Sequence, residues 1–366
     1  MIRRIIKPHH RNDHTQDAHG LNLRVVWIGG GGGSVALLRA LWNISPRIVA
    51  LICVTDDGTD SGKLRREMGW APGDIRRALV ALAANPGGKM AQMLSVRFDE
   101  RFPERAGQSF GNSVFAAAAL CGLDMADQIK MVARLLGVTG MVCPATIQTS
   151  VSLVGELLDG SFVHGELSVA ASGSSLRRVC LDPKGAAPPP ESREAIRLAD
   201  AVIIGPGSVA TSLIPAMIPS ACILAETLAA RFLVVNAWSE GDDDFATAAD
   251  YVRFITGHFP DRRLFDCIIC HQHPSKIHPN SSGGRPVTAD LDAIRAMGYA
   301  AVGADLLGAD GRHNGQKVAS LVATLTPQFS RQSPVTQHSR RERIKSVRFA
   351  HAIYPCRSEH DYFPGD

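Results

Sequence analysis

Unbroken apolar runs that end in small or polar residues recur along the chain. Residues 23–28 lead into glycines and a serine at 29–34, and residues 47–55 lead into Asp-Asp-Gly at 56–58. Runs without apolar and polar alternation are typical of parallel strands that are covered on both faces. The helical spacing of apolar residues at 35–41 completes a strand, helix, strand unit. The pattern therefore predicts an α/β fold with a mostly parallel sheet and helices on both faces.

Three later segments repeat this arrangement. Residues 138–142, 201–204 and 232–235 are apolar, and each leads into small or polar residues. In open parallel sheets, ligands bind beyond the carboxyl ends of the strands. We therefore expect a Rossmann-like fold whose site is assembled from the residues that follow these strands.

Composition and charge divide the 366 residues into a body and two tails. The chain is 45% apolar, which is enough to bury a sizeable core. We predict a tail at 1–22, one nucleotide-binding domain at 23–326, and a basic, disordered tail at 327–366. The two tails carry two and three net positive charges, which leaves the body at −1. A near-neutral body argues against a nucleic-acid partner.

The chain shows no signal for a membrane or for a secreted, disulfide-linked protein. No segment has the roughly 18 to 20 uninterrupted apolar residues of a spanning helix, and no signal-type run opens the sequence. We expect a cytoplasmic protein with reduced cysteines. Cys267-Ile-Ile-Cys270-His271 matches a haem-attachment pattern, and two Cys beside His could hold zinc. Because an apolar strand would bury these two thiols on opposite faces, we expect neither haem nor zinc.

The glycine run after the first strand is the main candidate for phosphate binding. A loop without side chains lets backbone N–H groups approach phosphate oxygens, and the following helix adds a favourable dipole. A plain tight turn is the alternative. The dinucleotide pattern G-x-G-x-x-G fails at its last glycine, and residues 58–63 fail the Walker pattern. The run comprises Gly29, Gly30, Gly31, Gly32, Gly33 and Ser34.

Two adjacent carboxylates, Asp56 and Asp57, follow the second strand directly. Such a pair can bind Mg²⁺, hydrogen-bond a ribose or act as a base. A helix N-cap with a salt-bridged neighbour is the alternative. The glycine run precedes the pair by one strand and helix, which favours a functional role. We therefore predict that Asp56 and Asp57 hold Mg²⁺ or a ribose.

Several other polar residues complete the predicted site. Arg65 and Arg76 could offset phosphate charge, although each could instead pair with Asp74 or Glu67. Asn112 offers a donor and an acceptor to a sugar or phosphate, or caps a helix. The hydroxyl groups of Ser208, Thr211 and Ser212 follow the Gly205-Pro206-Gly207 turn. They could donate to phosphate or form a similar helix cap. The remaining members of the predicted set are Ser61, Gly62, Asp74, Gly205, Pro206, Gly207, Ser208, Thr211, Ser212 and Asn236.

Taken in order, these motifs resemble the YvcK type of the CofD-like superfamily, whose members are called gluconeogenesis factors. The resemblance covers residues 23–326. It implies a Rossmann-like site for a nucleotide sugar such as UDP-N-acetylglucosamine, and a regulatory role in gluconeogenic carbon metabolism and cell shape. The motifs that carry it are the run at 29–41, Val54-Thr-Asp-Asp-Gly58, Pro72-Gly-Asp-Ile-Arg76, Gln108-Ser-Phe-Gly-Asn112 and Gly205-Pro-Gly-Ser208.

The sister CofD branch implies a different function for the same motifs. There the resemblance points to an Mg²⁺-dependent transferase that moves a phospholactyl-type group from a nucleotide diphosphate donor. Carried over by position, Asp56 and Asp57 would contact the acceptor or the metal, and residues 205–208 would line the facing wall. Both interpretations give the protein a small-molecule nucleotide partner, and both allow a homo-oligomer.

Overall fold

The structure, a computed structural model, describes residues 23–31, 35–239, 244–272 and 284–331. The predicted tail at 1–22 and residues 332–366 of the second tail lie outside these ranges. So do Gly32, Gly33 and Ser34 of the glycine run.

A parallel sheet of seven strands forms the centre of the described chain. In chain order its strands are β1 (Val25–Gly29), β2 (Ile48–Ile52), β3 (Met141–Pro144), β7 (Ala201–Ile204), β8 (Ala230–Val234), β10 (Cys267–His271) and β12 (Ala300–Ala304). Their spatial order is β12-β10-β8-β7-β1-β2-β3, so chain order reverses between β1 and β7. This reversal is the switch point at which open α/β sheets bind ligands. The predicted fold class is confirmed.

Two smaller sheets accompany the central one, and the sequence analysis predicted neither. Three antiparallel strands, β4 (Ser152–Leu157), β5 (Phe162–His164) and β6 (Leu176–Asp182), pair in the order β5-β4-β6. Two short strands, β9 (Trp238–Ser239) and β11 (Arg285–Pro286), form an antiparallel pair.

Helices cover both faces of the central sheet. They are α1 (Val35–Ile44), α2 (Thr59–Met68), α3 (Gly73–Ala81), α4 (Lys89–Ser95), α5 (Phe110–Leu120), α6 (Met125–Leu136), α7 (Glu166–Ser172), α8 (Pro190–Leu198), α9 (Ile214–Met217), α10 (Ala221–Glu226), α11 (Ala248–Gly257), α12 (Leu291–Ala296) and α13 (Gly315–Phe329). A π-helical turn, Val209–Leu213, precedes α9. The last helix, α13, continues three residues past the predicted domain boundary at 326.

Alternating side chains of the strands fill two cores, one on each face of the sheet. In β1, Val25 and Trp27 belong to one core, and Val26 and Ile28 belong to the other. This division follows from the two-residue period of a strand. Cys267 and Cys270 of β10 likewise fall on opposite faces. Burial raises the pKa of each thiol to about 12.

Within the described ranges, one helical stretch, Val209–Glu226, has the length and composition of a membrane span. Most of this stretch, 78%, is buried inside the fold. It contains the π-helical turn, α9 and α10, whose buried side chains belong to one of the two cores of the sheet. Its apolar character is explained by this packing, since a buried helix is hydrophobic all round.

Candidate functional site

Two glycine loops lie side by side at the switch point of the sheet. The first glycine loop begins at Gly29, the last residue of β1, and is described through Gly31. The second glycine loop, residues 205–208, follows β7, which pairs with β1. A Cβ atom on Gly207 would lie 3.5 Å from the carbonyl oxygen of Gly30. The structure therefore brings together the two glycine segments that the sequence predicted.

The side chain of Trp27, in β1, contacts both glycine loops. Its indole Nε1–H donates a hydrogen bond of 3.0 Å to the Gly205 carbonyl oxygen. Its ring fills the space that a Cβ on Gly29 would occupy, so the chain can pass over the ring only as glycine. The side chain is 2% exposed and cannot move aside. Sequence analysis placed Trp27 in an apolar strand without assigning it this role.

The first glycine loop is held by a carboxylate. The Gly31 N–H donates to Asp74 Oδ2 at 2.9 Å, and Asp74 lies in the first turn of α3. Gly31 has a φ of 76°, a left-handed conformation that favours glycine. A Cβ on Gly30 would lie 3.0 Å from Asp74 Oδ2 and 3.3 Å from the Ser212 hydroxyl oxygen. Asp74 and Ser212, both predicted site residues, thus flank this loop.

The second carboxylate oxygen of Asp74 forms an ion pair with Arg77. Arg77 also lines a narrow, mostly apolar cleft, together with Gly30, Gly31, Trp27 and neighbouring apolar side chains. Burial lowers the pKa of Arg77, and the negative charge of Asp56 opposes that shift. Arg65 and Arg76 were the predicted phosphate-binding cations, and Arg77 was not among them.

The second glycine loop is held by an amide. Asn236, which follows β8, accepts from the Gly207 N–H at 3.0 Å and donates through Nδ2 to the Gly207 carbonyl at 3.0 Å. The Tyr251 hydroxyl donates to the same carbonyl oxygen at 3.3 Å. Asn236 was a predicted site residue, and in the structure it anchors the second glycine loop through these two hydrogen bonds. Tyr251 had no signal beyond its place in an apolar helix.

The hydroxyls after the second loop form a helix cap. Ser208 is the N-cap of the π-helical turn, accepts from the Thr211 N–H at 3.4 Å and contacts the Thr211 hydroxyl at 2.6 Å. Thr211 and Ser212 are each 7% exposed. The capping alternative left open by the sequence therefore describes Ser208 and Thr211. Ser212 faces Gly30 across the gap between the loops.

The paired aspartates point in different directions. Asp57 Oδ1 accepts from the Leu167 N–H at 2.9 Å, and its Oδ2 packs against Gly165, so Asp57 caps the start of α7. Asp56 Oδ1 accepts from the Gly58 N–H at 2.9 Å. Asp56 Oδ2 lies beside the beginning of α3, 3.4 Å from where a Cβ on Gly73 would be.

This geometry bears on the predicted Mg²⁺ site. Magnesium is commonly held by one or two carboxylates together with ligand phosphates. Asp56 fits that role through Oδ2, whereas the oxygens of Asp57 are directed at the start of α7. No cluster of three or more His, Cys, Asp or Glu side chains arranged for a metal ion occurs in the described chain. A cation at this edge would therefore need ligand oxygens beside Asp56.

The other predicted residues form contacts away from the loops. Arg76 is 5% exposed and donates to Asn112 Oδ1 at 3.0 Å and to the Leu94 carbonyl at 2.8 Å. Asn112 lies inside α5, not at its cap, and donates to Asp60 at 2.9 Å. This network joins helices α2, α3, α4 and α5.

Three further predicted residues serve packing in the structure. Arg65 donates to the Val151 carbonyl and to the Ser152 hydroxyl, both at 2.6 Å, at the start of β4. Gly62 lets α2 approach the Asp57 carbonyl, which a Cβ would overlap. Gly73 allows a similar close approach, since a Cβ on Gly73 would lie 2.6 Å from the Ser61 hydroxyl oxygen. Of these, only Ser61 is beside Asp56.

Comparison with known proteins supplies a family for this arrangement. The family model described as 2-phospho-L-lactate transferase CofD matches residues 25–307. The gluconeogenesis factor of Halalkalibacterium halodurans is 34% identical over 324 residues, which cover 84% of this chain and 97% of that protein. The gluconeogenesis factor of Bacillus subtilis is 33% identical over 322 residues, covering 84% and 99%.

A solved structure agrees with these matches. The crystal structure of a UPF0052-family protein from Bacillus halodurans has a TM-score of 0.76 and 32% identity, and covers 82% of this chain and 99% of that one. The region matched by the family model contains both glycine loops and the residues that hold them. The chain therefore belongs to the CofD family and is a member of its YvcK type, the gluconeogenesis factors.

Proposed function

We propose that the protein binds a nucleotide sugar of the UDP-N-acetylglucosamine type and, through that ligand, regulates gluconeogenic carbon metabolism and cell-envelope shape. One observation carries the proposal: two glycine loops lie side by side at the switch point of the sheet. Such loops let backbone N–H groups approach a diphosphate closely. The names of the relatives, gluconeogenesis factors, support the metabolic part.

In this proposal the ligand's diphosphate lies across Gly30 and Gly207. Glycine at both positions leaves room for phosphate oxygens next to the backbone. Ser212, which borders Gly30, supplies a hydroxyl donor. A divalent cation held by Asp56 and by phosphate oxygens would neutralise charge on the ligand.

Calorimetric titration tests the proposal directly. The protein is titrated with UDP-N-acetylglucosamine, UDP-glucose, GDP and NAD, each with and without Mg²⁺. We expect saturable binding of the UDP-sugars without turnover. Preference for GDP, strengthened by Mg²⁺, would favour the transferase, and no binding of any of the four would reject the proposed ligand class.

A glycine variant links the binding to the loops. In Gly30→Ala the added methyl group narrows the gap between Asp74 and Ser212. We expect UDP-N-acetylglucosamine to bind at least about tenfold more weakly, which corresponds to 1.4 kcal/mol. Gly257→Ala, at a position with open space around it, is the matched control and should bind normally. Equal affinity of the two variants would place the ligand elsewhere.

A second candidate function is the Mg²⁺-dependent transfer of a phospholactyl-type group from a nucleotide diphosphate donor. The observation that favours it is the family model, which takes its description from such a transferase and spans residues 25–307. A deazaflavin acceptor and the donor are incubated with the protein and Mg²⁺, and the product is sought by mass spectrometry. Product formation that Asp56→Asn abolishes would establish it. No product from a protein that binds UDP-sugars would exclude it.

A further inference from the structure

The first glycine loop is bound by an anionic side chain of the protein itself, the carboxylate of Asp74. Asp74 places one carboxylate oxygen 2.9 Å from the Gly31 nitrogen and its other oxygen on Arg77. The carboxylate thus occupies the position that a phosphate would take on a glycine-rich loop. A ligand phosphate that approached Gly31 would meet this negative charge first.

Arg77 is suited to receive the phosphate. Its guanidinium pairs with the carboxylate that holds Gly31, and its buried Nε–H has no hydrogen-bond acceptor in the described structure. The planar guanidinium of arginine donates to carboxylates and phosphates in the same forked geometry. A phosphate can therefore replace the Asp74 carboxylate on Arg77 without a new arrangement of donors.

The two arginines that were predicted to offset phosphate charge form hydrogen bonds elsewhere. Arg76 is buried on Asn112 and the Leu94 carbonyl, and Arg65 is bound at the start of β4. The charges that act on Arg77 besides Asp74 are Asp56 and Glu166, which are negative, and Arg97, which is positive. Burial lowers the pKa of Arg77 and these two carboxylates oppose that shift, and an arginine side chain stays protonated in proteins.

We infer that Arg77 is the cation that recognises a ligand phosphate, and that the phosphate displaces the Asp74 carboxylate from Gly31 and Arg77 as it binds. This inference rests on the proposed function and adds to it a specificity residue and an internal competitor. Asp74 is then a regulator of affinity and not a ligand contact. In the free protein the Asp74 carboxylate occupies Gly31 and Arg77, and every anionic ligand must displace it from both.

The two residues predict effects of opposite sign. Arg77→Met should weaken UDP binding roughly 10- to 100-fold, which is the range for hydrogen bonds to charged groups, and should leave uridine binding unchanged. Arg77→Lys, which keeps the charge but loses the fork, should fall between. Asp74→Asn keeps an oxygen for the Gly31 N–H but removes the charge, so UDP should bind several times more tightly.

Titration calorimetry with uridine, UMP and UDP measures these changes, and thermal melting confirms that each variant is folded. Arg134→Met, on the exposed side of α6, is the control for removing one positive charge. Arg65→Met tests the alternative cation. The inference is overturned if Arg65→Met loses UDP affinity and Arg77→Met does not. It is also overturned if folded Asp74→Asn binds UDP more weakly than the wild type.

Pyrophosphate separates this inference from the proposed function. If the wild type binds UDP-N-acetylglucosamine and Arg77→Met binds it equally well, the inference fails and the proposed function stands. If the wild type binds pyrophosphate but no UDP-sugar, and Arg77→Met loses pyrophosphate, the inference stands and the proposed ligand fails. Should Arg77→Met not fold, Arg77→Lys and Asp74→Asn still decide the question.

Discussion

The two glycine loops touch each other but are anchored by different chemistry. Gly31 of the first loop is held by the Asp74 carboxylate, whose charge Arg77 balances. Gly207 of the second loop is held by the Asn236 amide through two hydrogen bonds of 3.0 Å, one donated and one accepted. Asn236 follows β8, the strand beside β7, whereas Asp74 lies in α3, the second helix after β2.

This difference determines which loop can change partners. A phosphate offers acceptor oxygens, so it can take the place of a carboxylate. An ionised phosphate cannot replace Asn236, because it offers no donor for the Gly207 carbonyl, which receives one hydrogen bond from Asn236 and one from Tyr251. The first loop is therefore the exchangeable part of the site, and the second is a fixed wall against which the ligand is positioned.

Of the substitutions at the two anchors, giving the second loop a carboxylate should lower stability most. Asn236→Asp removes one of the two donors to the Gly207 carbonyl, leaving that of Tyr251, and places a negative charge against that oxygen. We expect the free energy of unfolding to fall by about 1–3 kcal/mol, because a hydrogen bond is lost and two partly buried oxygens now repel each other. UDP-N-acetylglucosamine affinity should fall as well. Urea denaturation and calorimetry measure the two changes.

The exposed Asn85 gives the matched control for this variant. Asn85→Asp adds the same charge in a loop away from the site and should leave both quantities unchanged. A normal stability for Asn236→Asp would show that the second loop tolerates a charged anchor, and the proposed difference between the loops would disappear.

Acid should weaken the support of the second loop. His258 follows α11, the helix that carries Tyr251 to Gly207. Its Nε2 accepts from the Val179 N–H at 2.9 Å, and its Nδ1–H donates to the Phe254 carbonyl at 2.8 Å. Burial lowers its pKa from 6.5 to about 4. Only the neutral ring can accept the Val179 hydrogen bond, so protonation breaks the link between α11 and β6.

The direction of the pH effect follows from these pKa values. Between pH 6.5 and 4 the unfolded chain binds a proton that the folded chain does not bind, so stability falls as the pH falls through this window. The depressed pKa corresponds to a loss on the order of 3 kcal/mol. His313, whose pKa burial also lowers to about 4, acts in the same direction. His258→Gln should reduce the slope of unfolding free energy against pH by about half, and an unchanged slope would assign it to other groups.

The sequence predicted the fold and the loops because both leave strong patterns. Buried parallel strands have no alternation, and each ended at residues that cannot continue a strand. The antiparallel sheet was missed for the opposite reason. Its strands β4 and β6 mix apolar and charged residues, and they pair across the segment that contains β5 and α7. Nothing local in the sequence records which strands pair.

The choice between Arg76 and Arg77 shows a second limit. Adjacent side chains on a helix point about 100° apart, so one faced the interior and the other the glycine loop. Only the phase of α3, fixed by the packing of Ile75 and Leu79, decides which one. One signal was available: Arg77 lies three residues after Asp74, the spacing of an ion pair on a helix.

Removing the charge of Asp74, the residue that anchors the first loop, should have the smallest effect on stability. The Asp74 and Arg77 side chains are 14% and 31% exposed, and partly exposed ion pairs contribute roughly 0–1 kcal/mol. Asp74→Asn keeps an acceptor for the Gly31 N–H, so its unfolding free energy should change by less than about 1 kcal/mol. Urea denaturation of Asp74→Asn, Asn236→Asp and the double variant measures this on one scale.

The double variant tests whether the loops act together. Because Gly207 approaches the Gly30 carbonyl, the two changes should not be additive, and we expect a coupling energy of at least about 0.5 kcal/mol. A cost for Asp74→Asn equal to that of Asn236→Asp would mean that Asp74 is as fixed as Asn236. The first loop could then not release it to a phosphate, since an anchor of that strength would hold the loop against any ligand.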